Sequence, residues 1–183
     1  MMKQFLSLLF ICIFTSTAVS AQDFSDLDKS PMEVAIIRNT DHSPMARIIY
    51  SSPRKKGREI FGGLVPYGEI WRTGANEATE ITFYNDMRIA GNKIPSGTYT
   101  LYTIPNEEEW TIILNKNINI WGTINNYKKE QDLVRIKAPA RSAAATIENF
   151  SVAFQPTENG TNLLMGWDDT FVEVPFKNIE KED

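Results

Sequence analysis

Apolar and polar positions alternate in short runs along the chain from residue 32 onwards. Trp110, Ile112 and Leu114 share one face of such a run, because successive side chains of a β-strand point to opposite sides. The same alternation gives three further candidate core triplets: Phe150, Val152 and Phe154; Leu163, Met165 and Trp167; and Val172, Val174 and Phe176. The apolar spacing of a long amphipathic helix does not occur. The pattern therefore predicts an all-β protein whose strands each bury one face.

About ten short runs rich in apolar and β-branched residues are predicted to be strands. Turn-forming segments at 85–86, 91–92 and 95–97 separate several of them, and Asp168-Asp169 is interpreted as a hairpin turn. These features predict an antiparallel β-sandwich or jelly-roll-like fold with one long loop. The predicted strands are residues 33–38, 46–51, 80–84, 87–90, 98–104, 110–115, 133–137, 148–155, 162–167 and 171–176.

The segment 53–79 is longer than ordinary connections between strands. Loops of this length without strands of their own are usually functional or disordered, and the aromatic content of this one argues against disorder. A second interruption, 117–132, is interpreted as a surface crossover with a short helical turn around 125–131. A functional site is therefore expected in the long loop.

The first residues have the pattern of a secretory signal peptide. Lys3 precedes an uncharged apolar run over residues 5–14, and the small residues Val19 and Ala21 suit peptidase cleavage. The run has about ten residues, whereas a helix that spans a membrane needs about twenty. We expect residues 1–21 to be removed, which leaves a periplasmic or secreted protein with no membrane span.

The rest of the chain is expected to form a flexible segment (22–31), a single β domain (32–178) and a charged tail (179–183). Cys12 is the only cysteine and lies in the predicted leader, so the mature chain has no thiol for a disulfide, a metal site or catalysis. The formal net charge of −4 argues against nucleic acid as the main partner. These features leave the oligomeric state open.

Three motifs carry a resemblance to a known family. They are Pro53-Arg54-x-x-Gly57-Arg58, Trp71-Arg72-Thr73-Gly74-Ala75-Asn76-Glu77 and Gly97-Thr98-Tyr99-Thr100-Leu101. With these motifs the chain resembles a family of exported bacterial proteins known as domain of unknown function 2911, over nearly the whole mature chain. The resemblance implies no reaction, cofactor or catalytic residue, so the chemistry has to be argued from residue types.

The long loop carries a candidate ligand site. Arg54, Lys55, Lys56 and Arg58 concentrate positive charge in an otherwise acidic chain, and Arg72 joins them if the loop folds back. Such a cluster suits a carboxylate, sulfate or phosphate, and planar polar groups beside aromatic rings also suit a sugar. The predicted ligand-binding residues are Arg54, Arg58, Tyr67, Trp71, Arg72, Asn76 and Glu77.

A purely structural role for the same residues is the alternative. Trp71 can be a core residue, Arg72 and Glu77 an ion pair, and Asn76 a cap for loop amides. The basic cluster can equally be a solvated surface of the loop. The sequence leaves both interpretations open.

Few catalytic chemistries fit the composition. His42 is the only histidine, which disfavours histidine metal sites and histidine-assisted nucleophiles, and neither a metal nor a cofactor is predicted. Glycoside cleavage needs only two suitably spaced carboxylates. Glutamates that lie in or beside the long loop are Glu59, Glu69, Glu77 and Glu80.

These observations favour a noncatalytic binding module for a polar ligand, either a glycan or an anion. One alternative is a small hydrolase that cleaves glycans with loop carboxylates. The other is a structural or interaction protein of the cell envelope.

Overall fold

The computed structural model describes residues 23–122 and 126–179, and nearly all of its regular structure is antiparallel β. The predicted leader (1–21) and residues 180–183 of the predicted tail lie outside the described residues. The all-β prediction is confirmed. The strands are β1 (Met32–Arg38), β2 (Pro44–Ser51), β3 (Glu80–Phe83), β4 (Met87–Ile89), β5 (Asn92–Ile94), β6 (Gly97–Ile104), β7 (Glu109–Asn115), β8 (Asp132–Thr157) and β9 (Gly160–Asn178).

The strands form one sheet in the order β1-β2-β3-β6-β7-β8-β9-β4-β5. The first part of β8 pairs with β7 as far as Pro139, and the rest, from Ala140, pairs with β9. The sheet folds back on itself, because the rings of Phe83 in β3 and Phe176 in β9 lie 5.0 Å apart between centroids. The core therefore lies between two halves of the sheet, as in a sandwich.

The strands β8 and β9 are longer than the sequence pattern predicts, with 26 and 19 residues. Each contains two of the predicted short strands. The predicted hairpin turn at Asp168-Asp169 is wrong, because Asp168 takes a φ of 59° within β9 and the register with β8 shifts around it. Aspartate tolerates this left-handed conformation, so the pair makes a bulge and the strand continues.

The strand β5 is also absent from the sequence prediction. It pairs with β4 through a two-residue turn in which Ala90 and Gly91 have φ values of 45° and 84°. Positive φ at both positions is the geometry of a type I′ hairpin. The turn predicted at 91–92 is therefore present, but it begins one residue earlier and β4 is correspondingly shorter than the predicted strand.

The predicted core triplets are buried, with only Phe154 partly exposed. A second cluster lies on the other face of the sheet, where Tyr102 and Ile113 are covered by Ile70 of the long loop and by Tyr127. A one-turn 3-10 helix, Lys129–Gln131, lies in the predicted helical segment. The strand β6 is therefore buried on both faces.

Within residues 23–122 and 126–179, no helix has the length and apolar character that crossing a membrane requires.

Candidate functional site

The long loop (53–79) is fixed to the sheet near both of its ends. Arg54 forms an isolated bridge with Asn149 of β8, and the backbone N–H of Trp71 donates to the carbonyl of Thr103 in β6 at 2.7 Å. The loop therefore forms a fixed wall beside the sheet.

A tight turn presents the basic residues of the loop. The backbone N–H of Arg58 donates to the carbonyl of Lys55 at 3.1 Å, and Lys56 and Gly57 between them have φ values of 50° and 70°. The Arg58 side chain donates from Nε to the Lys55 carbonyl at 2.9 Å and from Nη2 to the Arg54 carbonyl. These bonds hold the guanidinium at the turn, and both of their acceptors are uncharged backbone carbonyls.

A cleft of about 490 Å³ opens beside this turn. None of its lining residues is acidic, and among the described residues no ion pair neutralises any of its cations. Lys55 points elsewhere and pairs with Asp168 at 2.5 Å. We call this site the cationic cleft. Its five cations are Lys29, Arg54, Lys56, Arg58 and Arg72.

Arg72 enters the cleft from a half-buried position. Its Nη1 donates to the carbonyl of Gly122 at 2.9 Å, while its Nε is buried and has no hydrogen-bond partner among the described residues. Burial lowers the pKa of Arg72, but a guanidinium stays protonated at neutral pH. The predicted ion pair with Glu77 is not formed within the described residues.

Trp71 is a core residue with 8% of its surface exposed. Its Nε1 donates to the carbonyl of Gly74 at 3.0 Å, and its ring stacks on Trp167 at 6.0 Å between centroids. Both tryptophans also line the cationic cleft. Trp71 therefore forms part of the cleft floor and offers no broad exposed face.

Three predicted site residues lie outside the cationic cleft. Tyr67 is 39% exposed and packs against Gly62, where a Cβ atom would lie 2.9 Å from its ring. Asn76 donates from Nδ2 to Asp28 at 3.1 Å and to the carbonyl of Ser30 at 3.5 Å, and in the described part of the chain its side chain caps no loop amide. Glu77 lines a separate groove. The predicted residues that do meet at the cleft are Arg54, Arg58, Trp71 and Arg72.

The comparison with known families agrees with the three sequence motifs. The model of a family described as Protein of unknown function (DUF2911) matches residues 30–176. The chain belongs to this family. The DUF2911 match includes the long loop and all the cations of the cleft except Lys29. Searches of curated proteins and of solved structures each gave no match.

Sequence reasoning missed several cleft residues of this DUF2911 protein. Lys29 and Ser30 come from the predicted flexible segment, which is held near the loop because the backbone N–H of Ser52 donates to the carbonyl of Pro31 at 2.9 Å. No sequence signal connects this segment with the loop. Trp167 was predicted only as a core residue, and its alternation pattern gives no sign that it also reaches a cleft.

The four glutamates near the long loop do not share one site in this DUF2911 structure. Glu77 and Glu80 line a groove of about 210 Å³, where Glu80 Oε1 accepts a hydrogen bond from the backbone of Asn119 at 2.5 Å. Glu69 lines another pocket, and Glu59 lines neither. In the described ranges, no three His, Cys, Asp or Glu side chains come together as a metal site requires. The hydrolase hypothesis stays a prediction.

Proposed function

We propose that this protein is a noncatalytic module that binds an anionic ligand in the cationic cleft. The observation that carries the proposal is the convergence on one cleft of five cations, none of which forms an ion pair within the described residues, in a chain whose formal net charge is −4. A local field opposite in sign to the net charge concentrates anions at that place.

The chemistry of the cleft favours a planar or tetrahedral oxyanion. Arginine side chains bind carboxylate, sulfate and phosphate through parallel N–H donors, and the cleft contains Arg54, Arg58 and Arg72. Its floor is apolar, with Trp71 and Trp167. Charge-assisted hydrogen bonds are stronger beside such a floor because the local dielectric constant is lower than in water.

We also propose that the protein works outside the cytoplasm, in the periplasm or as a secreted protein. The support is the leader pattern of residues 1–21, with Lys3, the apolar run and the small residues before the predicted cleavage point.

The test is binding of sulfate, phosphate, acetate and glucuronic acid to the purified protein, measured by calorimetry and by thermal stability. A ligand that binds only the folded state raises the melting temperature. We expect at least one anion to bind, and the variant Lys56→Gln to weaken that binding by about tenfold, which corresponds to about 1.4 kcal/mol.

Lys177→Gln is the matched control, because Lys177 is exposed at the far end of β9 and lines no pocket among those of the described residues. It should bind the anion as the parent does. Equal weakening by both substitutions, or no binding of any anion, would contradict the proposal.

A glycan hydrolase is the alternative, and the shared groove of Glu77 and Glu80 favours it. The matching test is turnover of a glycan panel by the parent and by Glu80→Gln. Product formed by the parent and lost in the variant would support hydrolysis.

A further inference from the structure

We infer that the ligand is an acidic sugar that places its anionic group in the cationic cleft and neutral hydroxyl groups in an adjoining pocket. This inference rests on the proposed function and adds the chemical class of the ligand. The adjoining pocket has a volume of about 370 Å³, and Arg72, Tyr102 and Glu69 are its polar side chains. We call it the hydroxyl pocket.

Two buried polar atoms of the hydroxyl pocket lack partners. Tyr102 is 2% exposed, and neither its hydroxyl nor Nε of Arg72 has a hydrogen-bond partner among residues 23–122 and 126–179. Burying a polar group without a partner is unfavourable. Both residues line the same pocket, so a ligand oxygen bound there would accept hydrogen bonds from these two atoms once a local side-chain movement exposes them.

Other tyrosines in the protein show what a purely structural tyrosine does. Tyr99 donates its hydroxyl proton to the carbonyl of Pro95 at 2.9 Å, and Tyr127 donates to Asp132 at 2.6 Å. Tyr102 is more deeply buried than Tyr99 and lacks such a bond within the described residues. Its hydroxyl therefore adds no protein hydrogen bond to the folded state, and a ligand oxygen would give it one.

The two sites are neighbours. Four residues line both the cationic cleft and the hydroxyl pocket, and Arg72 is one of them. Arg72 therefore borders both sites, and the inference requires one ligand to contact it from each of them. The shared residues are Leu64, Val65, Trp71 and Arg72.

The charge of the hydroxyl pocket favours a neutral group. Glu69 lines it and would repel a second anionic group, whereas a hydroxyl can accept from Arg72 or Tyr102 and donate to Glu69. A carbonyl oxygen can only accept. Pro66 and Ile70 add apolar surface that suits the carbon–hydrogen face of a sugar ring. An acidic sugar combines all three features: an anionic group, neutral hydroxyls and an apolar face.

The experiment compares four probes by calorimetry: sulfate, glucuronic acid, the neutral disaccharide cellobiose, and a set of disaccharides that join one uronic acid to one neutral sugar. We expect the best acidic disaccharide to bind at least about tenfold tighter than glucuronic acid, which is the ratio that about 1.4 kcal/mol provides. Cellobiose should bind more weakly than either, because it lacks the anionic group.

Tyr102→Phe is the decisive variant. Its melting temperature should be at least that of the parent, since the hydroxyl that it loses has no partner in the described residues and burying such a group is unfavourable. It should lose most of the tenfold higher affinity that the acidic disaccharide has over glucuronic acid. Its affinities for sulfate and for glucuronic acid should equal those of the parent. Tyr99→Phe is the matched control, because it removes a hydroxyl that is hydrogen-bonded elsewhere and should lower the melting temperature without changing binding.

Glu69→Ala is a second variant at an exposed position, which tests the pocket if Tyr102→Phe fails to fold. It should lower the ratio between the affinities for the acidic disaccharide and for glucuronic acid.

If anions bind but no acidic disaccharide exceeds glucuronic acid, or if Tyr102→Phe and Glu69→Ala both retain the gain, the inference is overturned and the proposed function stands. If none of sulfate, phosphate, acetate and the uronic acids binds, both fail.

Discussion

The position of Arg72 depends on a glycine across the cleft wall. A Cβ atom at Gly122 would lie 2.0 Å from Cδ of Arg72 and 2.7 Å from the carbonyl oxygen of Asn76. The second of these neighbours is backbone and cannot rotate away. Because Gly122 has no side chain, the side chain of Arg72 can lie against its backbone and donate a hydrogen bond to its carbonyl.

Gly122→Ala is therefore expected to displace Arg72. Forcing an extra methyl group into a packed site costs about 1–3 kcal/mol, and anion binding in the cationic cleft should weaken with it. Urea denaturation and calorimetry with the anion found above measure the two effects. Gly91→Ala is the control, because Gly91 has a positive φ but open space within 4 Å. It should lose stability and keep anion binding, and a Gly122→Ala protein with parental affinity would contradict the prediction.

Lys55 and Asp168 form a partly buried ion pair of 2.5 Å, with side chains 22% and 16% exposed. Lys55→Met should lower the free energy of unfolding by about 2 kcal/mol, since hydrogen bonds to charged groups contribute about 1.5–3 kcal/mol. The double-mutant cycle with Asp168→Asn measures the coupling, because asparagine also tolerates the left-handed backbone of that position. Additive effects of the two substitutions would show that the contact contributes little.

Single residues of the site were only partly predictable from sequence. Arg54, Arg58 and Arg72 were grouped by their charge and by the loop that carries them, and they do meet. Asn76 and Glu77 follow Arg72 in sequence but do not line the cleft, and the backbone turns at Asn76 with a φ of 55°. Closeness in sequence does not decide which side of a turning loop a side chain reaches.

At the scale of elements, the β4–β5 hairpin carries a residue that is poorly suited to its turn. Ala90 has a φ of 45°, and type I′ turns strongly prefer Asn-Gly at their two central positions. The chain has Ala-Gly there. The Cβ atom of an alanine makes this conformation less favourable than it is for asparagine or glycine.

Ala90→Asn is accordingly expected to stabilise the protein by about 1 kcal/mol. The left-handed conformation costs a residue such as alanine about 1–2 kcal/mol, and asparagine avoids part of this cost. Thermal and urea denaturation measure the change. Ala145→Asn makes the same chemical change at an exposed position of β8 without positive φ, where asparagine has low strand propensity. It should not stabilise, and equal gains from both variants would refute the turn argument.

The existence of strands was predictable, whereas their continuity was not. Alternation identified both ends of β9, but Asp168-Asp169 between them has the composition of a turn. Turn residues show where the backbone can change direction. Whether it does so depends on pairing partners elsewhere, and here the pairing with β8 resumes on both sides of the bulge.

At the scale of the whole molecule, buried phenols set its response to alkaline pH. Burial, followed by the hydrogen bond to Asp132, raises the pKa of Tyr127 to about 12. Burial also raises the pKa of Tyr50, Tyr99 and Tyr102. All these tyrosines therefore keep their protons in the folded state at a pH where the unfolded chain, with a pKa near about 10, loses them.

The contribution of these tyrosines to the free energy of unfolding should then be constant below about pH 10. It should fall as the pH rises from about 10 towards about 12, because the unfolded state binds fewer protons than the folded state in that range. Urea denaturation at several pH values between about 8 and 11.5 measures the fall. Tyr127→Phe should be less stable at neutral pH and show a shallower alkaline decline. A free energy that stays constant through this range would contradict the raised pKa values.

The two sites combine distant parts of the chain, which explains why sequence reasoning found only part of them. Lys29 comes from before β1, Tyr102 from β6 and Trp167 from β9. Their convergence follows from the order of strands in the sheet, and local patterns do not determine that order. The family is described as one of unknown function, so the family match names no reaction or ligand from which the site residues could be predicted.

The strand β8 takes part in both halves of the sheet, because its first part pairs with β7 and the rest pairs with β9. A gene break within residues 132–178 would leave each fragment with strands whose partners are on the other fragment. Recombination therefore has no boundary within these residues at which one fragment could be exchanged for a homologous one. This region should therefore be inherited as one piece, and new specificities should arise by changes in the long loop, which contributes side chains to both the cationic cleft and the hydroxyl pocket.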